Sequence, residues 1–253
     1  MPAESLTVLN INESFPCMKN NPFMPDPKVE IDLARSYVAQ HLGNTIDGVL
    51  GYGGGSCNGM AFYSALHRSP VPVETDRKVA VIHCVHVQKI ERRTGLGRTI
   101  IDLVKRKSTR YHGVLVLART EDDEHFMHYT HFERAHFKTV EERDGIRYML
   151  FAFQNARIKV TPIETKYKPR SDKHELAICN FDYCPYWIRM ARELRKTASE
   201  LGDKISVSMM DMTRQESEDY GLGMGYLIDG KPMFKGFNVQ YDHRMELEKM
   251  IGA

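Results

Sequence analysis

VAVIHCVHVQKIERRTGLGRTIID, residues 79–102, changes character twice along its length. Its first part, 79–87, is apolar and rich in β-branched residues, as a buried strand requires. A tight Arg/Gly loop follows, Arg92-Arg93-Thr94-Gly95-Leu96-Gly97. Its two glycines let the backbone turn sharply and aim several N–H groups at one point. Residues 98–107 then read as a helix, whose N-terminus brings the positive end of its macrodipole to that point. Arg92, Arg93 and Arg98 surround it. A site of this kind takes a phosphate or pyrophosphate.

The choice of phosphate ligand narrows by elimination. A Walker loop needs Gly-Lys-Ser/Thr after its last glycine, whereas Gly97 is followed by Arg98-Thr99. A dinucleotide fold needs G-x-G-x-x-G, and a single G-x-G is present. The segment resembles motif A of the GNAT family of N-acetyltransferases, with Arg92-x-x-Gly95-x-Gly97 standing for the family's Q/R-x-x-G-x-G/A and Val87 closing the strand five residues before Arg92. The resemblance implies acetyl-coenzyme A as cosubstrate. The loop N–H groups of Arg92, Arg93, Thr94, Gly95, Leu96, Gly97 and Arg98 would hold its pyrophosphate. The backbone of Val85, His86 and Val87 would meet the pantetheine arm. The alternative is an ordinary strand–turn–helix whose glycines only make a turn. Strand, loop, basic residues and amphipathic helix in register favour the acyltransferase reading.

Bulk properties set outer limits. At 253 residues the chain suits one large domain or two ordinary ones, and 42% hydrophobic with 27% charged residues is a globular composition. A net charge of +2 without a Lys/Arg run argues against nucleic-acid binding. No N-terminal signal pattern and no membrane-length apolar run are visible. Five cysteines without regular spacing make no disulfide framework, so a soluble, cytoplasmic protein is expected.

Residues 6–11 read as a first strand and 29–42 as a helix, with Ile31, Ala34, Val38 and Leu42 on one side. The glycine-heavy run 48–55 reads as a strand and hairpin rather than a second phosphate loop, since no Lys or Ser/Thr occupies the P-loop positions. Residues 59–66 read as the strand that pairs with it. Beyond motif A, 113–118 is a short apolar strand, 124–135 a helix and 145–153 a strand. This order is that of an α/β acetyltransferase domain, 1–157, a mixed sheet flanked by helices. Residues 158–172 lose periodicity and read as a linker.

A second unit, 173–253, begins with a strand at 174–181. A helix over 184–202 follows, with Pro185 in its first turn. Next come a strand at 204–212, a short helix at 213–220 capped by Thr213, a hairpin at 225–234 around Asp229-Gly230, and a last helix at 241–251. The succession is thioredoxin-like. Cys184-Pro185 at the helix start and YLIDGKPMF before the terminal helix resemble the small domain appended to YoaP-like acetyltransferases.

Acetyl transfer to an amine requires loss of the amine's proton, a donor for the developing oxyanion and a proton for the departing thiolate. The resemblance places the oxyanion donor among the backbone N–H groups of residues 85–87. Its thiolate acid is a tyrosine in a pattern like F-Y-x-x-x-G-F. Here HFERAHF, 131–137, puts Phe132 in the tyrosine position and His136 in that of the glycine. Tyr129, one turn earlier, is the substitute acid, or a core aromatic. His83 is the candidate base, with His86 expected on the opposite strand face; a hydrogen-bonded sheet histidine is the other reading of either. His125, His128 and His131 form a stripe at helical spacing, without the companions of a zinc site, and no metal is expected. Cys184 stands where a thioredoxin has its nucleophile, and a helix N-terminus lowers a thiol pKa. Trp187 occupies the resolving position, so Cys184 is a candidate reactive thiol but not half of a redox pair.

The expected activity is acetyl-coenzyme A-dependent N-acetylation of a small-molecule or peptide amine by direct transfer. The acceptor leaves no mark in the sequence. No nucleic acid and no membrane are expected as partners, and a homodimer fits the chain. Two rivals stand beside it: a thiol-based redox or binding protein using Cys184, and a non-catalytic coenzyme A-binding or interaction module.

Overall fold

Strand β1 (Ala3–Ser5) precedes helix α1 (Lys28–His41), the hairpin β2 (Asp47–Gly53) and β3 (Ser56–Ala65), and strands β4 (Val73–Thr75) and β5 (Val79–Val87). Helix α2 (Leu96–Lys107), strand β6 (Gly113–Arg119) and helix α3 (Tyr129–Arg134) follow, then strands β7 (Lys138–Arg143), β8 (Ile146–Ala152) and β9 (Val160–Pro162). The computed structural model describes residues 2–7, 10–18, 24, 26–120, 127–170, 173–232 and 243–252. The chain divides into two units. One comprises Met1–Asn21, Arg35–Ser69 and Val73–Thr161; the other comprises Pro22–Ala34, Pro70–Pro72 and Pro162–Ala253.

The first unit is a seven-stranded mixed sheet ordered β1-β2-β3-β5-β6-β8-β7. Its β5–β6 pair is parallel, while β2–β3, β3–β5 and β6–β8 are antiparallel. Helix α2 buries Leu96, Ile100, Ile101, Leu103 and Val104 against it. The helix sits close because Gly51 and Gly59 are cross-strand partners beneath it. A Cβ at Gly51 or Gly59 would lie 2.6 or 2.7 Å from Cδ1 of Ile100. The glycine-rich run therefore serves a hairpin and a helix seat. Gly54 and Gly55, with φ of 56° and 79°, make its turn.

Three expectations for this unit need correction or trimming. The first strand does not span 6–11: β1 ends at Ser5, Leu6 and Thr7 lie beyond it, Ile11–Glu13 is a 3-10 turn, and residues 8–9 lie outside the described residues. The Asn10 side chain accepts from Thr7 N (2.7 Å) and donates to Ser5 O (3.2 Å), competing with a strand ladder. The helix expected over 124–135 is observed as Tyr129–Arg134, and residues 121–126 lie outside the described residues. Strand β7 was not expected. All six of its residues are exposed, so KTVEER has no apolar period to read, and its place is set by pairing with β8. The turn joining them is Asp144-Gly145 with φ of 52° and 75°, a hairpin signal that the sequence did carry.

The second unit contains β10 (His174–Asn180), α4 (Pro185–Glu200), β11 (Ile205–Asp211), α5 (Arg214–Tyr220), β12 (Gly225–Ile228), β13 (Lys231–Pro232) and α6 (His243–Ile251). The sheet order is β11-β10-β12-β13, with β10–β11 parallel and the other two pairs antiparallel. Leu176, Ile178, Leu194, Ala198, Ile228 and Leu247 share its core. Thr213 caps α5 in a reciprocal capping box with Glu216. Asp229 and Gly230 turn the hairpin with φ of 52° and 77°. The expected elements at 233–234 and 241–242 lie outside the described residues. Glu30, from the segment 22–34, is buried in this unit and bonded to Arg189 (3.1 Å) and Arg192 (2.6 Å). No helix among the described residues is long and apolar enough to cross a membrane.

Candidate active site

Parallel pairing of β5 with β6 runs from Val79↔Gly113 to Ile82↔Val116. Both strands continue past that point, β5 to Val87 and β6 to Arg119, and part from each other. The other edge of β5 stays paired with β3 as far as Gly59↔Val87. Gln88 N donates to Asn58 O at 2.8 Å, which marks residues 88 and 58 as a hydrogen-bonded pair. Such pairs alternate along an antiparallel ladder, so His86 and Cys84 also spend their backbone groups on β3. The N–H and C=O groups of Val85 and Val87 consequently face the opening between β5 and β6. His86, expected to contribute backbone to that groove, faces away from it. Met127 Sδ lies 3.3 Å from the Val85 N–H.

The Arg/Gly loop follows directly. Thr94 Oγ1 donates to Glu91 O at 2.6 Å, and Arg93 takes a φ of 67°. Gly95, with φ of 93°, caps α2 in a left-handed conformation that a side chain would strain. The helix begins at Leu96, two residues earlier than its expected start at Arg98. Its first helical hydrogen bond is Thr99 N to Gly95 O, 3.0 Å, leaving the N–H groups of Leu96, Gly97 and Arg98 at the open helix end. Leu96 is fully buried, backbone included, so the N–H groups of this turn that a ligand can reach are those of Gly97 and Arg98, and the expected contribution of Leu96 is corrected. Gly97 lies against the last strand residue: a Cβ there would stand 3.4 Å from Val87 Cγ2. Arg98 is exposed, 3.7 Å from the Asp102 carboxylate and 3.3 Å from His136 Nε2.

His83 is the extra residue of a β-bulge, because Phe62 pairs with Cys84 while Tyr63 pairs with Ile82. Its Nε2 is 2.8 Å from Ser64 Oγ, on the sheet face shared by Phe62, Cys84 and His86. The bulge cancels the alternation that would have sent His83 and His86 to opposite faces. Burial pushes the His83 imidazole down to about 3. Burial and the Arg92 charge push His86 down to about 4. Both rings are neutral at physiological pH, and both are weak proton acceptors.

Phe132 is fully buried in the first core, edge-on to Phe137 with centroids 5.7 Å apart. The tyrosine position thus holds a core ring. His136 takes a φ of 64°, and the N–H groups of His136 and Phe137 bond to Glu133 O (2.8 Å) and Phe132 O (2.9 Å). This is a left-handed helix stop, a position that glycine fills most readily. Tyr129 opens α3 with the Arg147 guanidinium 3.8 Å from its ring centroid and the His128 ring at 4.5 Å. The His128 and His131 rings are 6.3 Å apart, and His125 lies outside the described residues. Among the described residues no group of three His, Cys, Asp or Glu is placed to hold a metal ion.

In the second unit Cys184 is the N-cap of α4, at the end of the chain leaving β10. Burial pushes its thiol up to about 11, although hydrogen bonds from the Trp187 and Tyr186 backbone act the other way. Desolvation of the thiolate thus opposes the helix end that was expected to lower this thiol, while Cys184 itself is half-buried, unlike the buried Cys179. Burial raises Cys179 further, to about 12, and raises the Asp182 carboxyl together with the Asp211 charge. Tyr226 donates its hydroxyl to Trp187 O at 2.9 Å.

No family model matches the chain, and no curated protein does. Solved structures align at low identity. The ribosomal-protein-S18-alanine N-acetyltransferase from Escherichia coli shares 13% identity, with 62% of this chain and 98% of that chain covered and a TM-score of 0.41. An aminoglycoside acetyltransferase from an uncultured soil metagenomic sample, in complex with sisomicin, shares 19%, covering 56% and 90% with a TM-score of 0.40. The ribosomal-protein-alanine N-acetyltransferase from Brucella melitensis shares 11%, covering 60% and 100% with a TM-score of 0.43.

Proposed function

We infer that the chain is an acyl-coenzyme A-dependent N-acyltransferase that acetylates an amine by direct transfer, in the manner of the GNAT family whose motif A it resembles. The carrying observation is the parting of β5 and β6 beyond Ile82↔Val116, which leaves Val85 and Val87 amides facing a groove that ends at the Gly95–Gly97 loop. The cosubstrate supplies an activated thioester carbonyl. The open N–H groups of Gly97 and Arg98, with the helix dipole behind them, suit its pyrophosphate. The Val85 N–H suits the carbonyl oxygen, where a fixed donor stabilises the charge that builds during attack. Tyr129 is the proposed acid for the thiolate. His83 is too weakly basic to deprotonate a free ammonium ion. It can take a proton only from the far more acidic nitrogen that forms as the amide bond is made.

The second unit is proposed to be a thioredoxin-like, YoaP-like appendage. Its sheet order, its parallel central pair and Cys184-Pro185 at the start of α4 support that reading. The raised thiol of Cys184 and Trp187 in the resolving position give a redox function no support. The proposed acceptor is a small-molecule or peptide amine, and the proposed compartment is the cytoplasm.

Gly97→Glu tests the cosubstrate site. An acidic residue in the first turn of α2 favours the helix, so the fold is retained, while bulk and charge oppose a pyrophosphate. Calorimetry is expected to show acetyl-coenzyme A binding by the parent and none by the variant. Equal affinity in both would remove the loop from the site.

A further inference from the structure

We propose that Met127 sets the acyl-chain length this enzyme accepts, its side chain forming the acyl end of the groove between β5 and β6. The inference rests on the cosubstrate site proposed above and deepens it by naming the residue that chooses the acyl group.

The Val85 N–H points out of the β3–β5 ladder into the groove, where β6 no longer reaches it. Its partner is Met127 Sδ at 3.3 Å. A thioether is a weak acceptor, so this bond occupies a part-buried donor without competing strongly with a carbonyl oxygen. The Met127 backbone, by contrast, is pinned. Arg119 N donates to Met127 O at 2.9 Å, and His128 bridges Arg119 in parallel, extending the edge of β6. Met127 also takes a φ of 52°, a left-handed conformation uncommon for a residue with a side chain. That conformation aims the side chain into the first core, where it is 6% exposed.

A ligand oxygen on the Val85 N–H requires the sulfur to leave, and the pinned backbone means that only the side-chain torsions can move. Methionine has three of them and adapts its shape to a neighbour. Its end therefore stays beside the acyl carbons and bounds the space they can fill. That space is what one displaced methionine vacates, which suits an acetyl group and opposes a long chain.

The test is calorimetric and needs no acceptor. Free coenzyme A, acetyl-, butanoyl- and hexanoyl-coenzyme A are titrated into the parent, Met127→Ala and Met127→Gly; glycine also suits the left-handed backbone. The parent is expected to prefer acetyl- over hexanoyl-coenzyme A. In the variants that preference is expected to fall by about tenfold or more, the range for a few methylenes in an apolar pocket. Affinity for free coenzyme A is expected to stay within about threefold, since the loop holding the pyrophosphate is untouched. An unchanged preference in folded variants, or a parent without any preference, overturns the role of Met127 and leaves the cosubstrate site standing. A parent that binds neither coenzyme A nor any acyl form overturns the function reading and this inference with it. Methyl NMR keeps the question open to test if both variants fail to fold. The Met127 methyl resonance, assigned by Met127→Leu, is expected to move with acetyl-coenzyme A and much less with free coenzyme A. Identical responses overturn the proposal.

Discussion

Tyr129 holds its ring between the His128 imidazole and the Arg147 guanidinium, and the chain reaches it two residues after Met127, whose sulfur touches the Val85 amide. Tyr129→Phe preserves both ring contacts and removes only the hydroxyl. Turnover is expected to drop by about 10²-fold, the size of a lost general acid, with the melting temperature nearly unchanged. An unchanged rate with any accepted amine would exclude the hydroxyl from the chemistry. Cys184 poses a different question, because the helix end and burial act on its thiol in opposite directions and burial wins. At neutral pH it is expected to alkylate more slowly than the same cysteine in unfolded chain, yet before Cys179, whose thiol is raised further. Mass spectrometry after timed iodoacetamide exposure orders the sites. Cys184 reacting faster than the unfolded control would restore the reactive-thiol reading.

Helix α2 carries the Arg/Gly loop at its start, and its seat on Gly51 and Gly59 fixes where the loop ends up. Gly59→Ala places a methyl against Ile100 Cδ1, so a loss of about 1–3 kcal/mol is expected in urea unfolding. Ile100→Val deletes that carbon, and the double variant is expected to be less destabilised than the sum of the two single changes. Strict additivity would mean that the contact is relieved elsewhere. Strand β5 was legible to the residue, because an unbroken apolar, β-branched run has few other readings. The bulge at His83 was not, since it arises from pairing with β3 and leaves no mark in composition. Strand β7 was hidden for the opposite reason: its residues are all exposed, with Val140 the one apolar member, and only its neighbour makes it a strand. The left-handed stop at His136 was half legible, because the resemblance put a glycine at that position and the backbone there takes a positive φ.

The two units carry different titrating groups, and acid is expected to reach them in sequence. His83 and His86 have folded values of about 3 and about 4 against the ordinary imidazole value of 6.5. Their unfolded forms bind protons first, so the stability they contribute is present above pH 6.5 and lost as pH falls toward those folded values. In the second unit, burial alone would raise the Glu30 carboxyl. The Arg189 hydrogen bond, the Glu30 backbone N–H and the charges of Arg189 and Arg192 together bring it below its usual value of 4.5. That contribution is present above pH 4.5 and fades only as pH falls through the lower folded value. The single tryptophan, Trp187, belongs to the second unit. On acidification, far-UV circular dichroism is expected to change before tryptophan fluorescence does. Coincident transitions would show that the histidines do not govern the first unit's acid limb. A linear reading of the chain into 1–157 and 173–253 leaves residues 22–34 outside the second unit, because the Glu30–Arg189 pair joins positions 159 residues apart and charges at that separation show no pattern.

That separation also sets a clock during synthesis. Ribosomes add about 5–20 residues per second, so Arg189 is made on the order of 8–30 s after Glu30. The first unit's strands, from β2 to β8, are all polymerised in that interval. Until then the Glu30 carboxylate has neither arginine to pair with. The pairing of Glu30 is thus a late event on the nascent chain, and a chain truncated before α4 lacks both of its arginine partners.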